Sequence, residues 1–363
     1  MQKESNIERQ CVRQRSIVTL LLVVPVSLLG LTLLGRWSAV PLAGSGGASK
    51  NPPQLLAPAT YHELLAVRFE DCDVALMNLL CAEGLPNAEG LDVQSALTLL
   101  DSWAVRIRSE TQRHFYKFQR NPGEFEHSEG YFKMLIMAVV LYEDLQVRYN
   151  PDLIANVGQP ANGDGFFADS RDVFLHGLLG PRRMGTCSSM PVLYVALGRR
   201  LGYPLKLVTT KGHIFVRWDS PAERFNLDAT GKGMNRYNDE YYRNWPFSLS
   251  EAEIKEHGYL KSLSAAEELA VFLSIRGQCL MAAGRYAEAA SSYEHAVRLR
   301  PTSRDQRLLL AQAQAKCSDF AKLQSSVSSA LASDFGQSPS PPNMNHGISS
   351  KFAPDPNPLR QIR

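Results

Sequence analysis

An excess of charge of either sign is what this sequence most plainly lacks. Its 363 residues carry 39 Lys and Arg against 36 Asp and Glu, a net charge of +3. So balanced a surface offers no basic stripe to track a phosphate backbone, and no nucleic-acid partner is expected. Cysteine is scarce too: six, at 11, 72, 81, 187, 279 and 317, none in a C-x-x-C pair. That pattern fits neither a zinc site nor a dense disulfide framework. Cys72 and Cys81 are near enough to pair, but both lie in apolar, helix-like surroundings that suit buried thiols. The histidines at 62, 114, 127, 176, 257, 295 and 346 have no metal-ligand spacing. Gly231-Lys232-Gly233 lacks the rest of a phosphate-binding loop. No cofactor and no metal are therefore expected.

Long apolar runs are also rare, with one exception. Residues 17–35 (IVTLLLVVPVSLLGLTLLG) carry no charge and are long enough to cross a bilayer as a helix. Lys3, Arg9, Arg13 and Arg15 precede the run, partly offset by Glu4 and Glu8, and Arg36 follows it. This bias predicts a single-pass membrane protein with residues 1–16 cytoplasmic and the body facing the periplasm or exterior. A cleaved signal peptide is the rival reading. The run is longer than a usual signal core, and Ala43 is the nearest cleavage candidate, without a clean A-x-A site. A Gly- and Pro-rich linker occupies residues 36–54.

The body divides by pattern. Residues 55–150 read as helices, over 61–69, 74–81, 92–107 and 132–145, with apolar residues spaced by three and four. Residues 151–262 change character. A Gly-, Pro- and Asn-rich loop (150–167) leads to a helix over 169–179, begun by Asp169 and stopped at Gly180-Pro181. A helix over 188–201 follows, closed by Gly202, and then strands over 205–210, 213–218 and 224–228. Helix followed by antiparallel strands implies an α+β core.

Cys187 stands directly before the helix of 188–201. Pro191 locates that helix start, since proline is tolerated only in the first turn. The positive end of a helix favours the thiolate form of a cysteine, which is the nucleophilic form. His213 opens the second strand and Asp228 ends the third. Neighbouring strands can present the two side by side, and a carboxylate beside a histidine fixes its tautomer and supports its cation. Each residue also has a bland reading: core thiol, strand-end histidine, turn-capping aspartate. Arg182-Arg183 could meet an acidic substrate group or form a solvated turn.

The segments MGTCSSMPVLYVALGRRLGYP (184–204), KGHIFVRW (211–218) and FNLDAT (225–230) together resemble the core of the transglutaminase-like superfamily. The resemblance implies Cys187 as nucleophile, His213 as general base and acid, and Asp228 as the orienting residue. DVALMNLLCAEGL (73–85) and LDSWAVRIRSE (100–110) resemble a bacterial subgroup named after an invasion regulator. Its members often carry a tetratricopeptide tail, and many have lost the cysteine. No side chain is matched to an oxyanion hole. The Cys187 N–H is the one donor geometry offers, with Gln159 a speculative second.

Residues 263–335 are helical. Gly277, Leu280, Gly284, Tyr286, Ala289, Tyr293, Ala296 and Pro301 fall where a tetratricopeptide repeat of about 34 residues places its small and aromatic residues. Shifting by one repeat predicts a second, degenerate copy to about residue 333. These helices could bind a protein partner or pack on the core. Residues 336–363 are rich in Pro, Ser and Asn, a composition of disorder. Two functions are then open. One is a thiol acyl-transfer enzyme, hydrolytic or transamidating, on an amide or peptide substrate. The other is a non-catalytic scaffold.

Overall fold

The computed structural model describes residues 57–335, apart from 68–69, 71, 157–164 and 231–233. The helices α1 (Tyr61–Leu64), α2 (Val74–Ala82), α3 (Val93–Arg120) and α4 (Glu129–Val139) come first, and α4 runs into a π-helical turn, Val140–Asp144. Then come β1 (Arg148–Tyr149), α5 (Ser170–Val173), α6 (Leu175–Leu179), β2 (Met184–Gly185) and α7 (Met190–Arg200). The strands β3 (Leu205–Thr210), β4 (His213–Asp219) and β5 (Arg224–Leu227) follow. The chain ends in α8 (Asp239–Asn244), α9 (Glu251–His257), α10 (Ala265–Ala282), α11 (Tyr286–Leu299) and α12 (Arg304–Phe335). It divides into two compact units, up to Gln314 and from Ala315. The second unit is helical through Phe335, with Phe320 and Leu323 exposed.

The α+β reading of the core holds. β3, β4 and β5 form an antiparallel sheet in that order, with Thr210 opposite His213 and Val216 opposite Leu227. α7 packs against β3 and β4 on one side and α2, α3 and α6 on the other. Its residues from Met190 to Gly198 are all buried, as an element inside a two-sided core must be. Pro191 lies in its first turn, as expected. The outer edge of β3 is covered by the segment 260–263, where Leu260 N donates to Thr209 O and Leu263 N to Leu207 O, each at 2.9 Å. An edge so capped is closed to further strand pairing.

Several expectations change. The single-pass membrane placement is corrected. No helix among the described residues is long and apolar enough to cross a membrane. The run at 17–35 lies outside the described residues, as do the linker 36–54, Gln159 and the tail 336–363. α3 reaches Arg120 instead of stopping near 107, because Phe115 and Phe118 keep one face of its polar second half on the core. The helix expected over 169–179 is two short ones. Phe174 between them is extended, and the buried Asn78 side chain accepts through Oδ1 from Leu175 N at 2.9 Å, giving the chain a partner outside the helix. A second helix–turn–helix does not form after residue 303, since α12 is one continuous helix. No disulfide forms among the described cysteines. Cys81 is buried as expected, whereas Cys72 is half-buried.

The sequence gives no hint of the pairing between β1 and β2. It is parallel, with Tyr149 opposite Gly185, and Arg148 N and Asn150 N donate to Arg183 O and Gly185 O at 2.9 and 2.8 Å. Its consequence is local to the site, because Gly185 precedes Cys187 by two positions.

Candidate active site

The turn that carries Cys187 is built by its neighbours. The Thr186 carbonyl accepts from Ser189 N at 3.2 Å and Met190 N at 2.9 Å, so the helical bonding of α7 begins at Thr186. Thr186 Oγ1 accepts from Ser188 N at 3.3 Å, and Ser189 Oγ accepts from Thr186 N at 3.1 Å. This is a reciprocal cap of the kind that satisfies first-turn donors. The Cys187 N–H is the first donor of the turn and takes none of those acceptors. Both hydroxyls also donate to Asp172 O, Thr186 Oγ1 at 3.0 Å and Ser189 Oγ at 2.8 Å, which pins the turn to α5. Thr186, Ser188 and Ser189 are buried while Cys187 is half-buried. The thiol is thus the member of the turn that a substrate can meet.

His213 and Asp228 come from the sheet. Extending the β4–β5 register by one step puts Asp228 opposite Phe215, on the face that His213 shares. Asp228 Oδ2 lies 2.9 Å from His213 Nε2, and both residues are buried. Asp228 Oδ1 accepts from Thr230 N at 2.9 Å and from the Thr230 hydroxyl, and Asp228 N donates to Asn235 O at 2.7 Å. The carboxylate therefore both caps the turn at 228–230 and faces the imidazole. Trp245 meets the His213 ring edge-on at 4.8 Å, and Tyr242 stacks beside it at 6.1 Å.

The electrostatics follow from this packing. Burial by itself would lower the His213 pKa, but hydrogen bonds and charge from Asp228 and Cys187 outweigh it and raise it to about 9. Burial pushes the Asp228 carboxyl up, yet the His213 and Thr230 hydrogen bonds hold it below the usual carboxylate range. Cys187 lies near enough to add to the raised His213 pKa. With Nε2 on Asp228, Nδ1 is the ring nitrogen left for the thiol. All three sequence-predicted residues thus converge.

The other candidates fare differently. Arg182 and Arg183 are half-buried and engaged within the chain. Arg182 bridges Asp169 and Asp172, and Arg183 donates to Leu179 O at 3.0 Å and lies 4.7 Å over the Trp103 ring. Gln159 is outside the described residues. Among the described residues no group of His, Cys, Asp and Glu could hold a metal ion. Sequence reasoning missed Tyr149, whose half-buried phenol interacts with Cys187 at the turn and whose backbone pairs opposite Gly185. It also missed Asp172, whose carbonyl holds the turn. The short β-like segment Val147-Arg148-Tyr149 before Asn150-Pro151 was the available signal for the first. The second acts through its backbone and leaves none.

Neither a curated protein nor a solved structure matches the chain. A family does: residues 94–270, which include Cys187, His213 and Asp228, match the transglutaminase-like superfamily, and the chain carries a domain of that superfamily.

Proposed function

We propose that this chain is a thiol acyl-transfer enzyme acting on an amide or peptide bond. Cys187 is the nucleophile, His213 the base and acid, and Asp228 the residue that orients the imidazole. The observation that carries the reading is a buried imidazole 2.9 Å from Asp228, with its pKa raised by Asp228 and by the nearby Cys187. Sγ attacks the carbonyl carbon, forming an S–C bond. The amide C–N bond then breaks, and its electron pair takes the proton from His213 as the amine leaves. Water attacks the thioester next, gives a proton to His213, and the S–C bond breaks to release a carboxylic acid. An amine in place of water leaves a new amide.

A finer assignment, to the invasion-regulator-type subgroup with a tetratricopeptide tail, rests on the segments 73–85 and 100–110 and on the pair α10–α11. In that pair Gly277 meets the Tyr293 ring so closely that a Cβ would lie 2.4 Å from it, a contact suited to paired repeat helices. Arg276 donates to Cys81 O and Glu83 O at 2.9 and 2.6 Å, tying α10 to α2 and the loop after it. This supports a core-packing role for the pair over a free platform.

Limiting iodoacetamide, with each cysteine mapped, tests the enzyme reading. Cys187 should label first at neutral pH and lose that advantage in His213→Ala. Cys72 and Cys317 are the fair comparators, since they are half-buried like Cys187. Labelling of Cys187 no faster than theirs would favour the scaffold reading, in which the core and its helices bind protein partners without chemistry.

A further inference from the structure

Acyl transfer puts negative charge on the carbonyl oxygen as Sγ adds, and a lone backbone N–H is a poor host for it. Preorganised donors at that oxygen are commonly the largest single contribution to such catalysis. In this turn the Cys187 N–H is the donor that the Thr186–Ser189 cap leaves over. Tyr149 stands beside it: the β1–β2 pairing sets Tyr149 opposite Gly185, two positions before Cys187, and its half-buried phenol interacts with Cys187. A phenol beside that N–H offers a second donor to an oxygen bound there.

We propose that Tyr149 is the second oxyanion donor of this site, its phenol O–H and the Cys187 N–H together holding the carbonyl oxygen of the tetrahedral intermediate. The inference rests on the reading of Cys187 as nucleophile. Three observations support the assignment. First, the backbone of Tyr149 is fixed against the turn, because β1 pairs with β2 and Asn150 N donates to Gly185 O at 2.8 Å. Second, the next residue is locked as well, since Asn150 Nδ2 donates at 3.0 Å to Asp172 Oδ1, and the Asp172 carbonyl holds Thr186 and Ser189. Tyrosine and nucleophile therefore share one frame. Third, burial raises the Tyr149 pKa, and the charges of Cys187 and Asp228 raise it further. The phenol keeps its proton at neutral pH and can donate. When substrate enters, its carbonyl oxygen takes that N–H, and the phenol turns to donate to the same oxygen. No proton is transferred from Tyr149. It stays a neutral phenol through addition and collapse.

Two reagents separate this role from others. Iodoacetamide reacts with Sγ at a saturated carbon and forms no oxyanion, whereas p-nitrophenyl acetate acylates Sγ through one. Tyr149→Phe in the full chain should slow acylation of Cys187 by about 100-fold, the usual effect of losing one such donor, with alkylation at the wild-type rate. Unchanged acylation in Tyr149→Phe overturns the assignment. So does an equal loss of both rates, which would make Tyr149 a positioning residue for the turn. Because Tyr149→Phe keeps the ring, Tyr149→Ala serves as a second variant, and its acylation should fall at least as far. A wild-type chain whose Cys187 reacts selectively with neither reagent would overturn the nucleophile reading itself, and the oxyanion assignment with it.

Discussion

The two halves of the site are held by different kinds of bond. His213 and Asp228 stand on a sheet, where strand register sets their face and spacing and burial excludes water from both. Cys187 stands in a turn with no ladder, held by two hydroxyls that donate to the carbonyl of Asp172 on another element. The first arrangement is rigid because many backbone bonds share the load. The second rests on a few side-chain bonds, the two-residue β1–β2 pairing before it and one close contact at Gly185. A substitution should thus disable the dyad electrostatically without moving it, but disable the nucleophile by moving it.

Asp228→Asn is the largest expected break. The amide keeps the shape but cannot support the imidazolium, and acylation of Cys187 should fall by about 10³- to 10⁴-fold. The same variant tests the charge balance. His213 in the native chain should titrate near pH 9 by NMR of its ring protons. Without Asp228 burial is opposed by Cys187 alone, and the titration should fall from about 9 toward the ordinary imidazole value of about 6.5. The signs for stability follow. His213, raised on folding, contributes stability that is fully present below the ordinary imidazole range and lost as pH rises through about 9. Asp228, lowered on folding, contributes stability above the ordinary carboxylate range and loses it as pH falls through its depressed value. Native acylation and titration in Asp228→Asn would mean that the pair is packing alone.

Gly185→Ala aims at the other half. A Cβ there would lie 2.4 Å from Ser189 Oγ and 2.9 Å from Leu178 Cδ2, so the cap and α6 cannot both stay in place. Overpacking of this kind costs about 1–3 kcal/mol, readable as a lower denaturation midpoint. Cys187 alkylation should fall with it, while His213, though it loses the support of a displaced Cys187, should still titrate above the ordinary imidazole range, because Asp228 on the sheet is undisturbed. If His213 fell below that range too, the two halves would be one mechanical unit and the contrast between them would fail.

The same contrast explains what could be read from the sequence. The alternating faces of HIFVRW, the turn at Lys211-Gly212 and the strand RFNL are short-range signals, and register converts them into a contact between His213 and Asp228. Pro191 places the start of α7, and so Cys187, by local sterics alone. Tyr149 and Asp172 are different. They reach Cys187 through a parallel pairing between β1 and β2, marked in the sequence only by the short segment 147–149, and through a backbone carbonyl, which leaves no mark on residue type. The break at Phe174 is hidden for a related reason. The group that satisfies Leu175 N is Asn78, far away in the chain, so local helix propensity had no competitor in view. The pair α10–α11 was legible through Gly277 and Tyr293. The single helix α12 was not, because small residues at repeat-like spacing came without the turn that would divide the segment.

The smallest effect should come from Thr230→Val, at the edge of the sheet half. Thr230 donates twice to Asp228 Oδ1, through its backbone N–H at 2.9 Å and through its hydroxyl. Valine keeps the branched shape and the backbone bond, so only the hydroxyl's share is removed. The expected loss is about 1 kcal/mol of stability at neutral pH by denaturant unfolding. Because the Thr230 bonds help hold the Asp228 pKa down, the difference from the native chain should shrink as pH falls through the carboxylate range. His213 stays on Oδ2, so Cys187 alkylation should remain close to native. A loss as deep as that of Asp228→Asn would show that Thr230, not the β4–β5 register, sets the carboxylate against the imidazole.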